Sequence, residues 1–263
     1  MHLAIFGGVY NNYLALQAAL DDARRAEVDA VYCLGDMGAF GPYPDRTIDL
    51  LRREGVICLQ GNYDNSIGND LTDCQCGYTD PRDNHFAKLS YDYTYANTSA
   101  ENRRWLRDLP VELRLDVDGK RLLMCHGSPR KMNEFLWEST TSTQFLNKLA
   151  DDYAADLIVA THTGLHWRRE LSGGRQFANV GVLGRPENDG TTVVWYTRLR
   201  TGADAERGGI DIEFVPLEYD HTRLAAEMRS EELPEEFVAT VETGWWTCCL
   251  EVLPSKERRH GRF

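Results

Sequence analysis

Three stretches near the N-terminus decide the fold: Leu3-Ala4-Ile5-Phe6-Gly7-Gly8, Ala30-Val31-Tyr32-Cys33-Leu34-Gly35-Asp36 and Val56-Ile57-Cys58-Leu59-Gln60-Gly61-Asn62. Each is a short apolar run that stops at glycine. Such a run, bounded by turn residues, reads as a strand buried on both faces. Between the first and second, Tyr13 to Ala26 has helical spacing, with Leu14, Ala18 and Leu20 on one side and Asp21, Asp22, Arg24 and Arg25 at the far end. Between the second and third, Pro44 to Glu54 predicts a helix with proline near its start and Gly55 closing it. This β-α-β-α-β rhythm predicts a mainly parallel sheet. Ligands of such a sheet bind at the carboxyl ends of its strands, and glycines there let the backbone turn sharply and approach a ligand closely.

Residues 65–98 break the rhythm. They are polar, rich in Asp, Asn and Tyr, and contain Cys74-Gln75-Cys76. They read as an insertion with one helix around Asp83–Leu89, its tyrosines forming the insertion's own core. Ser99 caps a helix that runs to Leu109 and stops at Pro110. Asp118-Gly119 predicts a hairpin between Val111–Val117 and Arg121–Cys125. Thr143–Tyr153 reads as a helix and Leu157–Ala160 as a strand. Trp167–Leu171, Gln176–Val180, Thr192–Arg198 and Ile210–Val215 predict later strands in a more antiparallel arrangement. Leu224–Arg229 and Glu235–Glu242 look helical. The expected organisation is one domain over 1–254, with the 65–98 insertion, a helical extension at 218–254 and a charged, frayed tail at 255–263.

The chain has 263 residues and a formal charge of −12. That acidity argues against a nucleic-acid partner and against affinity for anionic membranes. No apolar run approaches the roughly 20 residues that cross a bilayer, and the N-terminus lacks the cationic leader of a signal peptide. Seven cysteines, an odd number, read as reduced thiols of a cytoplasmic protein. Cys33, Cys58 and Cys125 fall in predicted core strands. Cys248-Cys249, beside Trp245-Trp246, reads as a hydrophobic tail docked on the body.

Asp36, Asn62, His126 and His162 each follow a short apolar strand at a glycine-containing turn. Taken singly, each reads as a turn residue or a structural histidine. Together, a carboxylate, an amide oxygen and two imidazoles at equivalent strand ends point to a divalent first-row metal. Here the sequence resembles the calcineurin-like metallophosphoesterase family, in its compact bacterial phosphodiesterase-like branch. The resemblance spans roughly residues 1–200 and rests on Gly35-Asp36-Met37-Gly38, Gly41-Pro42, Gly61-Asn62-Tyr63-Asp64, His126-Gly127 and Thr161-His162-Thr163-Gly164, with Asn179-Val180-Gly181 and Gly184-Arg185-Pro186 near its end. It implies an α/β fold of two packed mixed β-sheets flanked by helices, a four-layer αββα sandwich. It also implies a metal site at the strand ends and hydrolysis by an activated water.

The family's first motif, Asp-x-His-Gly-Asn, is absent. Aligning Asn12 with its asparagine places Gly8 at the aspartate and Tyr10 at the histidine. Gly164 stands where the last motif has its second histidine, and Tyr63 where the third motif has the histidine used as proton donor. The family's second ligand set, Asp36, Asn62, His126 and His162, is retained whole, while every ligand unique to the first set is lost. That split implies a mononuclear descendant of a dinuclear site, holding one divalent transition metal: Mn, Zn or Fe. A second metal would need replacement ligands, for which Cys74, Cys76, His85 and His166 are candidates, the insertion folding over the vacated pocket. Asp64 and Tyr63 are the expected catalytic helpers. Arg130, Arg185, Tyr10 and Asn12 are the candidate contacts to a small phosphorylated or anionic substrate, with Lys131 beside Arg130. Asp36 with His126 and His162 is also a 2-His-1-carboxylate set, so a non-hydrolytic metal protein or an iron-dependent redox enzyme on the same scaffold stays open. Self-association stays open too.

Overall fold

The computed structural model describes residues 1–202, 205 and 209–258. In chain order the elements are β1 (His2–Phe6), α1 (Tyr13–Arg25), β2 (Ala30–Cys33), α2 (Pro44–Arg53), β3 (Ile57–Cys58), α3 (Asn62–Gly68), α4 (Pro81–Ala96), α5 (Ala100–Arg107), β4 (Glu112–Val117), β5 (Lys120–Cys125), α6 (Thr143–Asp152), β6 (Leu157–Ala160), β7 (His166–Glu170), β8 (Gln176–Val180), β9 (Val194–Thr201), β10 (Ile210–Leu217), α7 (His221–Ser230), α8 (Glu235–Thr243) and α9 (Ser255–Arg258). They form two five-stranded sheets, ordered β10-β9-β1-β2-β3 and β4-β5-β6-β8-β7. In the first, β1, β2 and β3 are parallel and β9 is antiparallel to β1. In the second, β5, β6 and β8 are parallel, with β4 and β7 as antiparallel edges.

Side chains alternate across a strand, so a run that is apolar at every position must be covered on both faces. Leu3, Ile5, Leu34 and Leu59 meet Leu122, Met124, Leu157, Val159 and Val180 between the sheets. Ala4, Phe6, Cys33 and Cys58 face the other way, onto Leu16 and Ala19 of α1 and Leu51 of α2. On the outer face of the second sheet, Leu123, Cys125, Ile158 and Ala160 pack on Leu146 and Leu149 of α6. The result is four layers, helix-sheet-sheet-helix. The Asp118-Gly119 turn forms as expected, both residues having positive φ.

The later strands are largely antiparallel as expected, β7 with β8, β9 with β1 and β10 with β9, but they are split between the two sheets. β7 and β8 join the second sheet, but β9 and β10 return to the first, beside β1. Strand pattern reports burial, not which edge the strand completes. The insertion also holds more helix than its sequence suggests. α4 starts at Pro81, with Asp80 accepting hydrogen bonds from the Arg82 and Asp83 backbone, and runs to Ala96. Its buried face includes Phe86 and Ala87 but also Asp83, Ser90, Tyr91 and Thr94, so apolar periodicity is weak. The tail is docked as far as Arg258: the Glu257 carboxylate accepts from the Ser139 backbone and hydroxyl. The rest of the tail, 259–263, lies outside the described residues. Upstream, α7 and α8 pack Leu224, Met228, Phe237 and Val238 around the buried Cys248 and Cys249 and against Phe86 of α4. Among the described residues no helix is long and apolar enough to cross a membrane.

Ile5 is fully buried between the sheets, whereas Ile57 is 42% exposed. In urea unfolding, Ile5→Ala is expected to lose about 2–5 kcal/mol, the cost of a core cavity. Ile57→Ala should lose less than about 1 kcal/mol. Similar losses in both would mean that the inter-sheet layer is not where the stability resides.

Candidate metal centre

The parallel strands of the two sheets end at a common rim, and β2, β3, β5 and β6 each deliver one polar residue to it: Asp36, Asn62, His126 and His162. The backbone there is held in unusual shapes. Asp36 and His162 have φ of 56° and 74°, in the left-handed region that non-glycine residues seldom adopt. Asp64 holds the turns at the ends of β2 and β3. Its carboxylate accepts from the backbone N–H of Asp36 at 2.7 Å, Met37 at 3.1 Å and Gly61 at 2.8 Å. Gly61 is glycine for a steric reason, since a Cβ there would lie 2.3 Å from Asp36 Oδ1 and 2.9 Å from His126 Cε1. The Tyr63 backbone N–H then donates to Asp36 Oδ1 at 3.0 Å.

His126 is oriented from the opposite sheet. Its Nδ1 lies 2.6 Å from the Leu34 carbonyl oxygen. A carbonyl only accepts, so Nδ1 carries the proton and Nε2 faces Asp36 Oδ2 and His162 Nδ1, each at 3.2 Å. Phe135 stacks on the His162 ring at 4.2 Å. The Asn62 side chain is oriented by the same logic. Its Nδ2 donates to the Cys74 carbonyl at 2.9 Å, and its Oδ1 is left buried with no partner. Buried polar atoms are nearly always satisfied, so an orphaned amide oxygen beside such a cluster marks a missing partner.

Among the described residues, Asp36, His126 and His162 form a group whose donor atoms all lie within 4.8 Å of one another, all buried. Their electrostatics agree with a place for positive charge. Burial works against charge on His126, but the Asp36 carboxylate outweighs it and holds the imidazole above its usual range. Burial, reinforced by His126, pushes His162 down to about 3. Burial opposes ionisation of Asp36 too, yet His126 keeps the carboxyl below the usual range. Burial and the neighbouring Asp36 charge raise Asp64 to about 6, against its backbone donors. A carboxylate, two imidazoles whose ring nitrogens converge and an orphaned amide oxygen fit a divalent cation.

The other half of the rim is filled. A Cβ at Gly8 would lie 2.5 Å from Tyr10 Cε1, and one at Gly164 would lie 2.7 Å from Trp246 Cη2. Aromatic rings therefore stand where the resemblance would place a carboxylate and a histidine. Trp246 is pinned by its backbone N–H to Asn188 Oδ1 at 2.8 Å and its indole N–H to the Pro186 carbonyl at 2.6 Å. Arg185 lies over the Trp246 ring at 3.8 Å and over Phe40 at 5.1 Å, and donates to the Cys248 carbonyl at 2.6 Å. Tyr10, His162, Arg185 and Trp246 share a cavity of about 10 Å³, about the size of one water. Sequence reading missed Trp246 as a component of the site. Its only signal was an apolar pair far from every motif.

The remaining candidates lie elsewhere. The Tyr63 phenol is buried against α4, donating to Ser90 Oγ at 3.0 Å, so what Tyr63 contributes to Asp36 is its backbone N–H. Asn12 caps α1 through the Ala15 N–H and donates to the Gly184 carbonyl. Arg130 is exposed and paired with Glu134. Lys131 is exposed. His85 is exposed on α4. His166 Nδ1 is 2.7 Å from Glu187 Oε1, its ring against Trp195 and Phe214. Neither histidine joins the group around Asp36. Cys74 and Cys76 are joined in a disulfide, which corrects the expectation of reduced thiols throughout; the other five cysteines are free and buried. The insertion reaches both sides of the rim: the Cys74 carbonyl meets Asn62, and Tyr78 lines the small cavity with Tyr10, Gly164 and Trp246.

Gly164 and Gly119 both have positive φ, 81° and 72°, but only Gly164 has a ring against its missing Cβ. Gly119→Ala is expected to lose about 1–2 kcal/mol from backbone strain alone. Gly164→Ala should lose more in the same urea titration, and Trp246→Ala should relieve the excess. Equal losses would remove Trp246 from the vacated half.

The calcineurin-like phosphoesterase superfamily domain matches residues 1–201. An uncharacterized protein of Methanocaldococcus jannaschii is 22% identical over 250 residues, covering 89% of this chain and 94% of that one. A metallophosphoesterase from Sphaerobacter thermophilus is 25% identical with a TM-score of 0.70, covering 93% of this chain and 99% of its own. A hypothetical protein of Pyrococcus horikoshii, 21% identical, shares the fold with a TM-score of 0.74 over 92% of this chain and 98% of its own. The chain belongs to the calcineurin-like phosphoesterase superfamily.

Proposed function

We propose that this member of the calcineurin-like phosphoesterase superfamily is a hydrolase of a small phosphorylated compound that works with a single divalent cation. The observation that carries the reading is the buried convergence of Asp36, His126 and His162, with donor atoms within 4.8 Å. These residues and Asn62 would hold the cation. When bound, a divalent cation of this kind acidifies water and polarises a phosphoryl oxygen. Asp64 keeps Asp36 in place through the turn it ties together. The Leu34 carbonyl keeps the His126 lone pair directed inward. Arg185, buried yet cationic, borders the cavity beside His162 and is the group suited to an anionic substrate in an otherwise acidic chain. Because that cavity is about 10 Å³, a phosphorylated substrate needs its aromatic lining, Tyr10, Tyr78, Phe135 and Trp246, to give way. A cytoplasmic setting accords with this reading.

A second reading has one observation in its favour: the same three residues form a 2-His-1-carboxylate set suited to non-haem iron. Metal identity separates the two. Plasma mass spectrometry on untagged protein purified without chelator, with an anaerobic preparation alongside, is expected to find zinc or manganese at about one equivalent. His126→Ala should lose it, together with at least about 100-fold of activity on a nitrophenyl phosphodiester. Iron with no phosphodiesterase activity would favour the redox reading.

Restoring the absent ligands tests the single-cation account. Gly8→Asp, Tyr10→His and Gly164→His together still leave the Trp246 ring in the way, so that triple variant should bind no second cation. Adding Trp246→Ala should admit the second cation and raise turnover. A second equivalent bound with Trp246 intact would sink the account.

A further inference from the structure

We propose that the Cys74–Cys76 disulfide is a positioning element for Asn62, so that its reduction weakens the cation site; this rests on the metal-binding reading above. The two cysteines are separated only by Gln75 and are joined in a disulfide. The ring they close sits directly on Asn62. The Asn62 amide nitrogen donates to the Cys74 carbonyl at 2.9 Å and lies 3.5 Å from Cys76 Sγ. These contacts decide which way the amide faces. With Nδ2 claimed by the loop, Oδ1 is turned away from it, buried and unpartnered. An asparagine free to rotate would spend part of its time presenting N–H groups, which cannot ligate a cation.

The loop depends on the disulfide for its shape. Gln75 has φ of 52°, a conformation that a non-glycine residue leaves when its surroundings release it. Asp73 caps the Gln75 backbone at 2.9 Å, and Asn133 Nδ2 donates to the Gln75 carbonyl at 2.7 Å. Asn133 belongs to the segment that follows His126 and carries Phe135, the ring stacked on His162. The cysteine pair borders a surface cleft of about 490 Å³, lined also by Gln75, Lys88 and Asn133; both cysteines are buried in its wall, so a dithiol reductant reaches the bond when the loop opens locally. Thiol-disulfide exchange there breaks the Cys74–Cys76 bond and leaves two thiols, while the reductant's two thiols become its own disulfide. The electrons and protons both come from the reductant.

The test uses the full chain in two states, oxidised, and reduced with dithiothreitol that is then removed under argon. Thiol titration in guanidine verifies the states, five thiols before reduction and all seven after. Mn²⁺ affinity is measured for each by calorimetry, with circular dichroism alongside. The expected result is a loss of about 10-fold or more on reduction, the scale of an outer-shell perturbation, with the circular dichroism unchanged. Cys74→Ser/Cys76→Ser should match the reduced protein, and Asn62→Ala should bind weakly in both states with no redox difference. Equal affinities in the two wild-type states would overturn the proposal, as would a redox difference that survives in Asn62→Ala or one accompanied by loss of helical signal. Tighter binding after reduction would also overturn it, replacing positioning by direct thiolate ligation. Failure of the oxidised wild type to bind Mn²⁺, Zn²⁺ or Fe²⁺ would overturn the metal reading itself.

Discussion

A buried hydrogen bond from His126 Nδ1 to the Leu34 carbonyl, at 2.6 Å, joins the carboxyl ends of β5 and β2 across the two sheets. Everything else at the rim depends on it. It assigns the proton of the imidazole, and so aims the Nε2 lone pair at Asp36 and His162. It also satisfies a carbonyl that the end of β2 leaves without a strand partner. A buried imidazole with no such acceptor would be free to flip, and the donor set would lose its shape. Asp64 performs the matching task within the first sheet, gathering the backbone of Asp36, Met37 and Gly61 onto one carboxylate. Strand ends that would otherwise be flexible turns become a preorganised set of oxygen and nitrogen donors.

Two segments close this rim, and they differ in kind. The Cys74–Cys76 loop lies on the Asn62 side and touches it through polar groups. The Trp246 segment lies on the other side and fills it with rings, Trp246 against Gly164 and Tyr10 against Gly8. Aromatic rings in that half of the rim stabilise by burial and place neither a carboxylate nor an imidazole there to attract a second cation. The two glycines are the counterpart of those rings, since any side chain at either position would collide with one. Glycine at positions 8 and 164 and the rings of Tyr10 and Trp246 are thus one packing arrangement rather than two.

Much of this was legible before any coordinates. Glycine-terminated apolar runs place β1, β2 and β3, and the polar residues just after β2, β3, β5 and β6 single out Asp36, Asn62, His126 and His162, whose atom types suit a divalent cation. The hairpin at Asp118-Gly119 follows from the positive φ that both residues adopt. Other features were invisible. α4 buries Asp83, Ser90 and Thr94 beside its apolar residues, so its length has no hydrophobic signature. The destinations of Tyr63, His85 and His166 depend on neighbours distant in sequence: Ser90, solvent, and Glu187.

The sequence by itself determined the family, the sandwich and the four residues at its strand ends, since these rest on local patterns of a few residues each. Only the tertiary structure decided what became of the vacated half and what faces Asn62. Trp246 reaches Gly164 from 82 positions along the chain, and the Cys74 carbonyl meets Asn62 because a loop folds back on its own helix. Contacts of that kind are chosen by packing in three dimensions, where shape and hydrogen-bond satisfaction select among partners that local pattern cannot rank.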